Sequence, residues 1–156
     1  MQQKGLRLTP VRRRTLEILL ENHRALGAYE VLERLAAETV AQLGKLTIWV
    51  NNAGGIPDGT PRYLTRTPED NFDAQIALNL KAVWMGASVA SRHMGEGGGA
   101  IINISTVASL VGIRGLSAYA ASKAGAKSSS EMRSKGANPK GRSQSCKSGF
   151  VMWFSF

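Results

Sequence analysis

Leu46-Thr47-Ile48-Trp49-Val50-Asn51-Asn52-Ala53-Gly54-Gly55 is a short β-rich run closed by turn-forming residues. β-branched and aromatic side chains suit a pleated, half-buried strand, whereas Asn and Gly suit the turn after it. A loop rich in Pro and Gly follows, and then Thr67-Pro68-Glu69-Asp70 marks a helix start with a capping threonine and an acidic first turn. That helix is predicted to bury Phe72, Ile76, Leu80 and Val83 and to run to about Met94, with Gly95 as its stop. Gly97-Gly98-Gly99 connects tightly into a strand over Ala100 to Ile104, a loop covers 105–116, and a last helix spans about Ser117 to Lys127. Strand, helix, strand, helix is the alternation of an α/β layer.

The flanks have another character. Residues 8–36 read as two short helices. Thr9 is placed as an N-cap ahead of Pro10 at the first helical position, Val11, Ile18 and Leu19 share one face, and the helix ends near Gly27. The second buries Val31, Leu32 and Leu35. From Ser128 the apolar pattern collapses: residues 128–149 hold seven serines, with Met132, Ala137 and Cys146 as the apolar residues. Such a composition predicts a disordered tail. The terminal Phe150-Val151-Met152-Trp153-Phe154-Ser155-Phe156 reads as a short exposed apolar tag prone to aggregation.

Composition narrows the function classes. The chain has 156 residues, 43% of them hydrophobic and 20% charged, as in an ordinary globular protein. No run approaches the roughly 18–20 apolar residues of a membrane helix, and the basic start lacks the apolar core of a secretory signal, so a cytoplasmic location is expected. Cys146 is the single cysteine and His23 and His93 are the histidines, which leaves no cluster at zinc-ligand spacing and no expected metal. The net charge of +9 sits at the two ends, because residues 25–126 are balanced between acidic and basic side chains. A nucleic-acid interface would need that charge gathered on one face.

The chemistry lies in the middle segment. Tyr119 and Lys123 are four apart on a predicted helix, so they share a face. An ammonium near a phenol stabilises the phenolate and makes tyrosine a workable general acid or base nearer neutral pH.

Asn51-Asn52-Ala53-Gly54 at a strand end, Asn79 in Asn79-Leu80-Lys81, and Ile102-Asn103-Ile104-Ser105-Thr106 ahead of Tyr119-Ala120-Ala121-Ser122-Lys123 together resemble the short-chain dehydrogenase/reductase family. The order and spacing match over about residues 37–127. The resemblance implies an NAD(P)-dependent oxidoreductase acting on an alcohol or ketone, on an incomplete doubly wound, Rossmann-like parallel sheet. Tyr119 would then exchange a proton with the substrate oxygen, while Lys123 would hold the nicotinamide ribose and tune Tyr119. Asn79 would anchor a water in the proton relay, and Asn52, Ala53 and Gly54 would line the cofactor's path. Thr106 takes the position that usually carries a substrate-holding serine; Ser105 is a weaker candidate. For Asn51 and Ser105 a packing role is the preferred reading.

One family element has no counterpart. A dinucleotide site needs a strand, a glycine-rich turn and a helix N-terminus. Ahead of Asn51 the glycines are Gly5, Gly27 and Gly44, with no Gly-x-x-x-Gly-x-Gly arrangement after a strand, and Gly95-Glu96-Gly97-Gly98-Gly99 follows a helix instead. Little or no activity is therefore expected from the chain alone. Two strands are too few to bury a parallel sheet, so homo-oligomerisation is a candidate.

At the other end, Gly5-Leu6-Arg7-Leu8-Thr9-Pro10 with Arg12-Arg13-Arg14, followed by Leu26-Gly27-Ala28-Tyr29-Glu30-Val31-Leu32, resembles the opening helices of the ferric-uptake-regulator family over about residues 5–38. There these helices support a DNA-reading helix, which has no counterpart in this chain. The expected organisation is a helical, winged-helix-like segment over 1–38, a partial dehydrogenase domain over 39–127 and a tail over 128–156. The alternative function is a noncatalytic fusion or frameshifted fragment whose basic ends bind nucleic acid weakly and nonspecifically.

Overall fold

A computed structural model describes residues 10–21, 27–129 and 149–152. Its elements are α1 (Pro10–Glu21), α2 (Ala28–Leu43), β1 (Ile48–Asn51), α3 (Glu69–Ile76), α4 (Ala82–Met94), β2 (Ala100–Ser105), α5 (Ser117–Ser129) and β3 (Gly149–Met152). The turn Ala77–Lys81 joins α3 to α4 without a break and is π-helical. Residues 69–94 therefore form one long helix with a bulge in the middle.

The sheet has strand order β1-β2-β3, and both pairings are parallel. Parallel neighbours require crossovers, which the 69–94 helix and α5 supply here. Register aligns Trp49 with Ile101 and Asn51 with Asn103. Paired residues share a face, and burial alternates along β2, with Ile101, Asn103 and Ser105 buried. That face carries the helices. Ala36 of α2, Val89, Ala90 and Met94 of α4, Leu46 and Ile101 form its core, with Leu32, Val40 and Trp49 packed against them. On the opposite face Ile48 is 61% and Val50 52% exposed, next to half-buried Ile102 and Ile104.

Helix α2 ends at Gly44, whose φ of 82° is a glycine conformation and whose N–H caps the Val40 carbonyl. It runs unbroken through residue 38, where the two sequence resemblances meet. Arg14 of α1 binds both carboxylate oxygens of Glu38, at 2.7 and 2.6 Å, and also Glu17, so this member of the arginine run is committed to internal ion pairs. Glu33 of α2 bridges Arg92 and His93 of α4, with His93 at 2.7 Å, and Arg92 also reaches the Tyr29 hydroxyl while lying over its ring.

Four sequence expectations change. Thr67 does not cap α3; its hydroxyl donates backwards to the Tyr63 carbonyl at 3.0 Å, and Pro68 occupies the cap position with no side-chain bond. Phe72 is 41% exposed rather than core, because the inward face of α3 carries Gln75 and, in the π turn, Asn79. Leu46 lies ahead of the strand rather than in it. Within the terminal apolar run, Gly149–Met152 adds a third parallel strand at the β2 edge, where unpaired backbone groups accept a β-rich segment. The expectations for Thr9, the end of the first helix and residues 130–148 lie outside the described residues. Among the described residues no helix is long and apolar enough to cross a membrane, and no group of His, Cys, Asp and Glu could hold a metal ion.

Candidate active site

Tyr119 and Lys123 lie one turn apart on α5. Lys123 is 3% exposed, and its Nζ donates to the Ile104 carbonyl of β2 at 3.2 Å. Burial disfavours the ammonium and pushes its pKa below the ordinary lysine value. Ser105 fixes the same helix to the strand, sharing its hydroxyl proton between the Lys123 carbonyl at 3.2 Å and Ser109 Oγ at 3.1 Å. Ser105 is thus engaged in packing α5 onto β2.

Asn52, Ala53 and Gly54, which follow β1, are exposed. A Cβ on Gly54 would lie 2.3 Å from Lys123 Nζ and 2.8 Å from Asn79 Oδ1. Gly54 therefore lies against both Lys123 and Asn79, and a side chain there would press on both. Asn79 is fully buried in the π turn, a helix irregularity frequent at functional sites. Its Oδ1 accepts from the Gly55 N–H at 2.8 Å and its Nδ2 donates to the Gly55 carbonyl at 2.9 Å. Asn51 belongs to a packing network: Trp49 Nε1 donates to its Oδ1 at 2.8 Å, and its Nδ2 donates to Asn103 Oδ1 at 2.8 Å and to the Val83 carbonyl.

Tyr119 is among the residues lining a shallow cleft, with Ile56, Pro61, Leu116 and Gln75. Two loops meet there. The Arg62 N–H donates to the Gly115 carbonyl at 2.9 Å, Arg62 pairs with Leu116 as an isolated parallel bridge, and Arg114 lies over the Tyr63 ring. Gly115, with φ 79°, makes the turn that leads into α5. Thr106 is not a wall of this cleft; it heads the short turn Val107–Ser109, where its hydroxyl accepts from the Ala108 N–H at 3.4 Å. The structure thus groups Lys123, Asn79 and Gly54, places Tyr119 one turn from Lys123, and leaves Thr106 at the end of β2.

Sequence reasoning passed over Gln75 and the Ile104 carbonyl. Gln75 could have been found as a polar residue one turn before Asn79 on an inward face. A backbone carbonyl leaves no residue-type signal.

Comparison with known proteins follows the same lines. The sequence model described as short chain dehydrogenase matches residues 25–146, which takes in α2 as well as the α/β body. The 2-(R)-hydroxypropyl-CoM dehydrogenase of Xanthobacter autotrophicus is 40% identical over 88 residues, 56% of this chain and 35% of that protein. A short-chain dehydrogenase from Streptomyces avermitilis superposes with a TM-score of 0.59 at 26% identity, over 69% of this chain and 40% of that one. A 7α-hydroxysteroid dehydrogenase complexed with NADH and 7-oxo glycochenodeoxycholic acid superposes with a TM-score of 0.57 at 32% identity, over 64% of this chain and 38% of that one. The chain spans about a third of the length of such curated relatives, as the 35% coverage shows. With the Tyr119–Lys123 helix packed on a parallel strand and the family match covering most of the sequence, this chain belongs to the short-chain dehydrogenase family.

Proposed function

We propose that the chain carries the proton-transfer half of an NAD(P)-dependent oxidoreductase acting on a small alcohol or ketone in the cytoplasm. The observation that carries this reading is Lys123, buried with no carboxylate among the described residues bonded to its ammonium, against Gly54 and one turn from Tyr119. A buried, depressed-pKa lysine beside an exposed glycine backbone is costly unless it serves a ligand or a reacting group. The exposed strip Asn52 to Gly54, of which Gly54 lies against the Lys123 ammonium, would take the nicotinamide-ribose end of a dinucleotide. Its pyrophosphate end has no glycine-rich turn in the sequence to receive it.

A bound nicotinamide would supply or take up the hydride. Tyr119 would give its phenolic proton to the substrate oxygen during reduction, or receive it during oxidation. Lys123 would raise the phenolate's share and hold the ribose. Asn79 keeps the 54–55 backbone in place through Gly55. Turnover by the isolated chain would be weak, for want of the phosphate-binding turn. The N-terminal resemblance contributes no residue to this reading. Its basic helix supports nonspecific nucleic-acid contact poorly, since Arg14 is bound to Glu38 and Glu17.

Titration of the purified chain with NADH and NADPH, followed by nicotinamide fluorescence, tests the proposal. Saturable binding that Lys123→Ala abolishes is expected. Absence of binding by either nucleotide, or binding indifferent to Lys123→Ala, would overturn it.

A further inference from the structure

Lys123 is held to one strand at both of its ends. Its ammonium donates to the Ile104 carbonyl at 3.2 Å, and its own backbone carbonyl accepts from the Ser105 hydroxyl at 3.2 Å. Ile104 and Ser105 are the last residues of β2. A lysine ammonium rides on a flexible four-carbon stem, so its position is defined only when the tip and the backbone that carries it are both fixed.

Ser105 is 5% exposed, and its hydroxyl has one proton for two acceptors, the Lys123 carbonyl and Ser109 Oγ at 3.1 Å. Ser109 directs its own proton to the Thr106 carbonyl at 2.6 Å and so meets Ser105 as an acceptor. The Ser105 hydroxyl therefore joins the end of β2, the turn Val107–Ser109 that Thr106 heads, and α5 at Lys123.

This bond fixes the depth of the ammonium. Gly54 lies so close to Lys123 Nζ that a Cβ there would come within 2.3 Å of it. A small shift of α5 against β2 would carry Nζ off the Ile104 carbonyl and away from Gly54, since no carboxylate among the described residues is bonded to it.

We infer that Ser105 is a positioning residue of the site: by binding the Lys123 carbonyl, its hydroxyl keeps the Lys123 ammonium against Gly54, and it touches neither substrate nor cofactor itself. The assignment rests on the proposed role of Lys123 in holding the nicotinamide ribose. It separates two adjacent hydroxyls, because that of Ser105 turns inward to α5 while that of Thr106 caps the turn that follows.

Removing either of two hydroxyls from the same patch tells positioning from packing. Ser105→Ala deletes the donor to Lys123, whereas Ser109→Ala deletes the competing acceptor and leaves the Ser105 proton to Lys123 alone. In the full chain the titration of Lys123 is followed by the carbon NMR signal of its ε-methylene, assigned by its loss in Lys123→Met, and binding of NADH and NADPH by nicotinamide fluorescence. Ser105→Ala is expected to raise the Lys123 pKa toward the ordinary 10.5, because the released ammonium reaches water, and to weaken nucleotide binding at least about fivefold. Ser109→Ala is expected to leave both at their wild-type values. Ser105→Cys, which fills the same place with a weaker donor, is expected to move both readouts in the direction of Ser105→Ala by less, and serves in its place if the alanine variant does not fold. An unchanged Lys123 titration on loss of the Ser105 hydroxyl, or equal weakening of binding by the Ser105 and Ser109 variants, would overturn the inference and leave Ser105 a packing residue. A wild-type chain that binds neither nucleotide would overturn the proposed function, and the Lys123 titration would still decide whether Ser105 sets the ammonium.

Discussion

Asn79 grips Gly55 from both sides, accepting from its N–H at 2.8 Å and donating to its carbonyl at 2.9 Å. A buried side-chain amide thereby replaces the backbone pairing that the chain loses when it leaves β1. Asn79→Ala strands both Gly55 groups and is expected to cost about 2–3 kcal/mol in urea unfolding. Asn79→Asp keeps the acceptor and loses the donor, so its cost should fall between the wild type and Asn79→Ala near neutral pH. Equal stability of the alanine variant and the wild type would show that the clamp contributes nothing.

Lys123 gives a pH signature. Its folded pKa lies below the ordinary 10.5, and the cause is burial. Between the lowered value and 10.5 the unfolded chain holds a proton that the folded chain has shed, so stability rises with pH through that window. At lower pH both states are protonated and the penalty is fully present. Lys123→Met should therefore be more stable near neutrality by on the order of 1 kcal/mol and should lose the alkaline rise. The same variant should lose nicotinamide nucleotide binding, which separates stability from function.

Two glycines can be ranked by what surrounds them. In Gly54→Ala the new methyl meets Lys123 Nζ at 2.3 Å, the end of a flexible side chain, and Asn79 Oδ1 at 2.8 Å, part of the amide that clamps Gly55. In Gly86→Ala it meets Asn51 Oδ1 at 2.3 Å and Trp49 Nε1 at 3.1 Å, inside the network that joins α4 to the sheet. Both variants should destabilise by about 1–3 kcal/mol, and Gly54→Ala should weaken nucleotide binding more. Thermal unfolding and nicotinamide fluorescence on the two variants check the ranking.

Acid should loosen α2 from α4. Glu33 sits below its ordinary pKa of 4.5 because of its hydrogen bond to His93 first and Arg92 second. A depressed carboxylate contributes stability above 4.5 that fades as pH falls through the lowered value. Glu33→Gln should flatten that part of the stability profile measured by circular dichroism, with little change in the Tyr119 cleft. An unchanged acid limb would remove Glu33 as its source.

The order of strands and helices was legible because periodicity and turn residues act locally: β2 and α5 lie within two residues of where the sequence places them. Tyr119, Lys123, Asn79 and Gly54 were legible as a motif, yet only the fold shows that Gly54 is glycine because Lys123 and Asn79 press on it. Thr67 misled, since a threonine hydroxyl can bond forwards into a helix or backwards to a preceding carbonyl, and the sequence does not choose. The third strand was hidden because parallel pairing is non-local: nothing within Gly149–Met152 names β2 as its partner.

The sheet face opposite the helices carries the last prediction. Ile48 and Val50 project from it, 61% and 52% exposed, with half-buried Ile102 and Ile104 alongside. Register puts these side chains in one apolar band, and among the described residues no helix packs over Ile48 and Val50. Parallel sheets are ordinarily covered on both faces, and an uncovered apolar face favours association. The chain should therefore self-associate as its concentration rises. Ile48→Ser with Val50→Ser should weaken that association at least about tenfold, since each buried aliphatic side chain contributes roughly 1.5–3 kcal/mol. Light scattering over a dilution series decides it: a wild type that stays monomeric, or variants that associate as strongly as the wild type, would show that this face is not the contact.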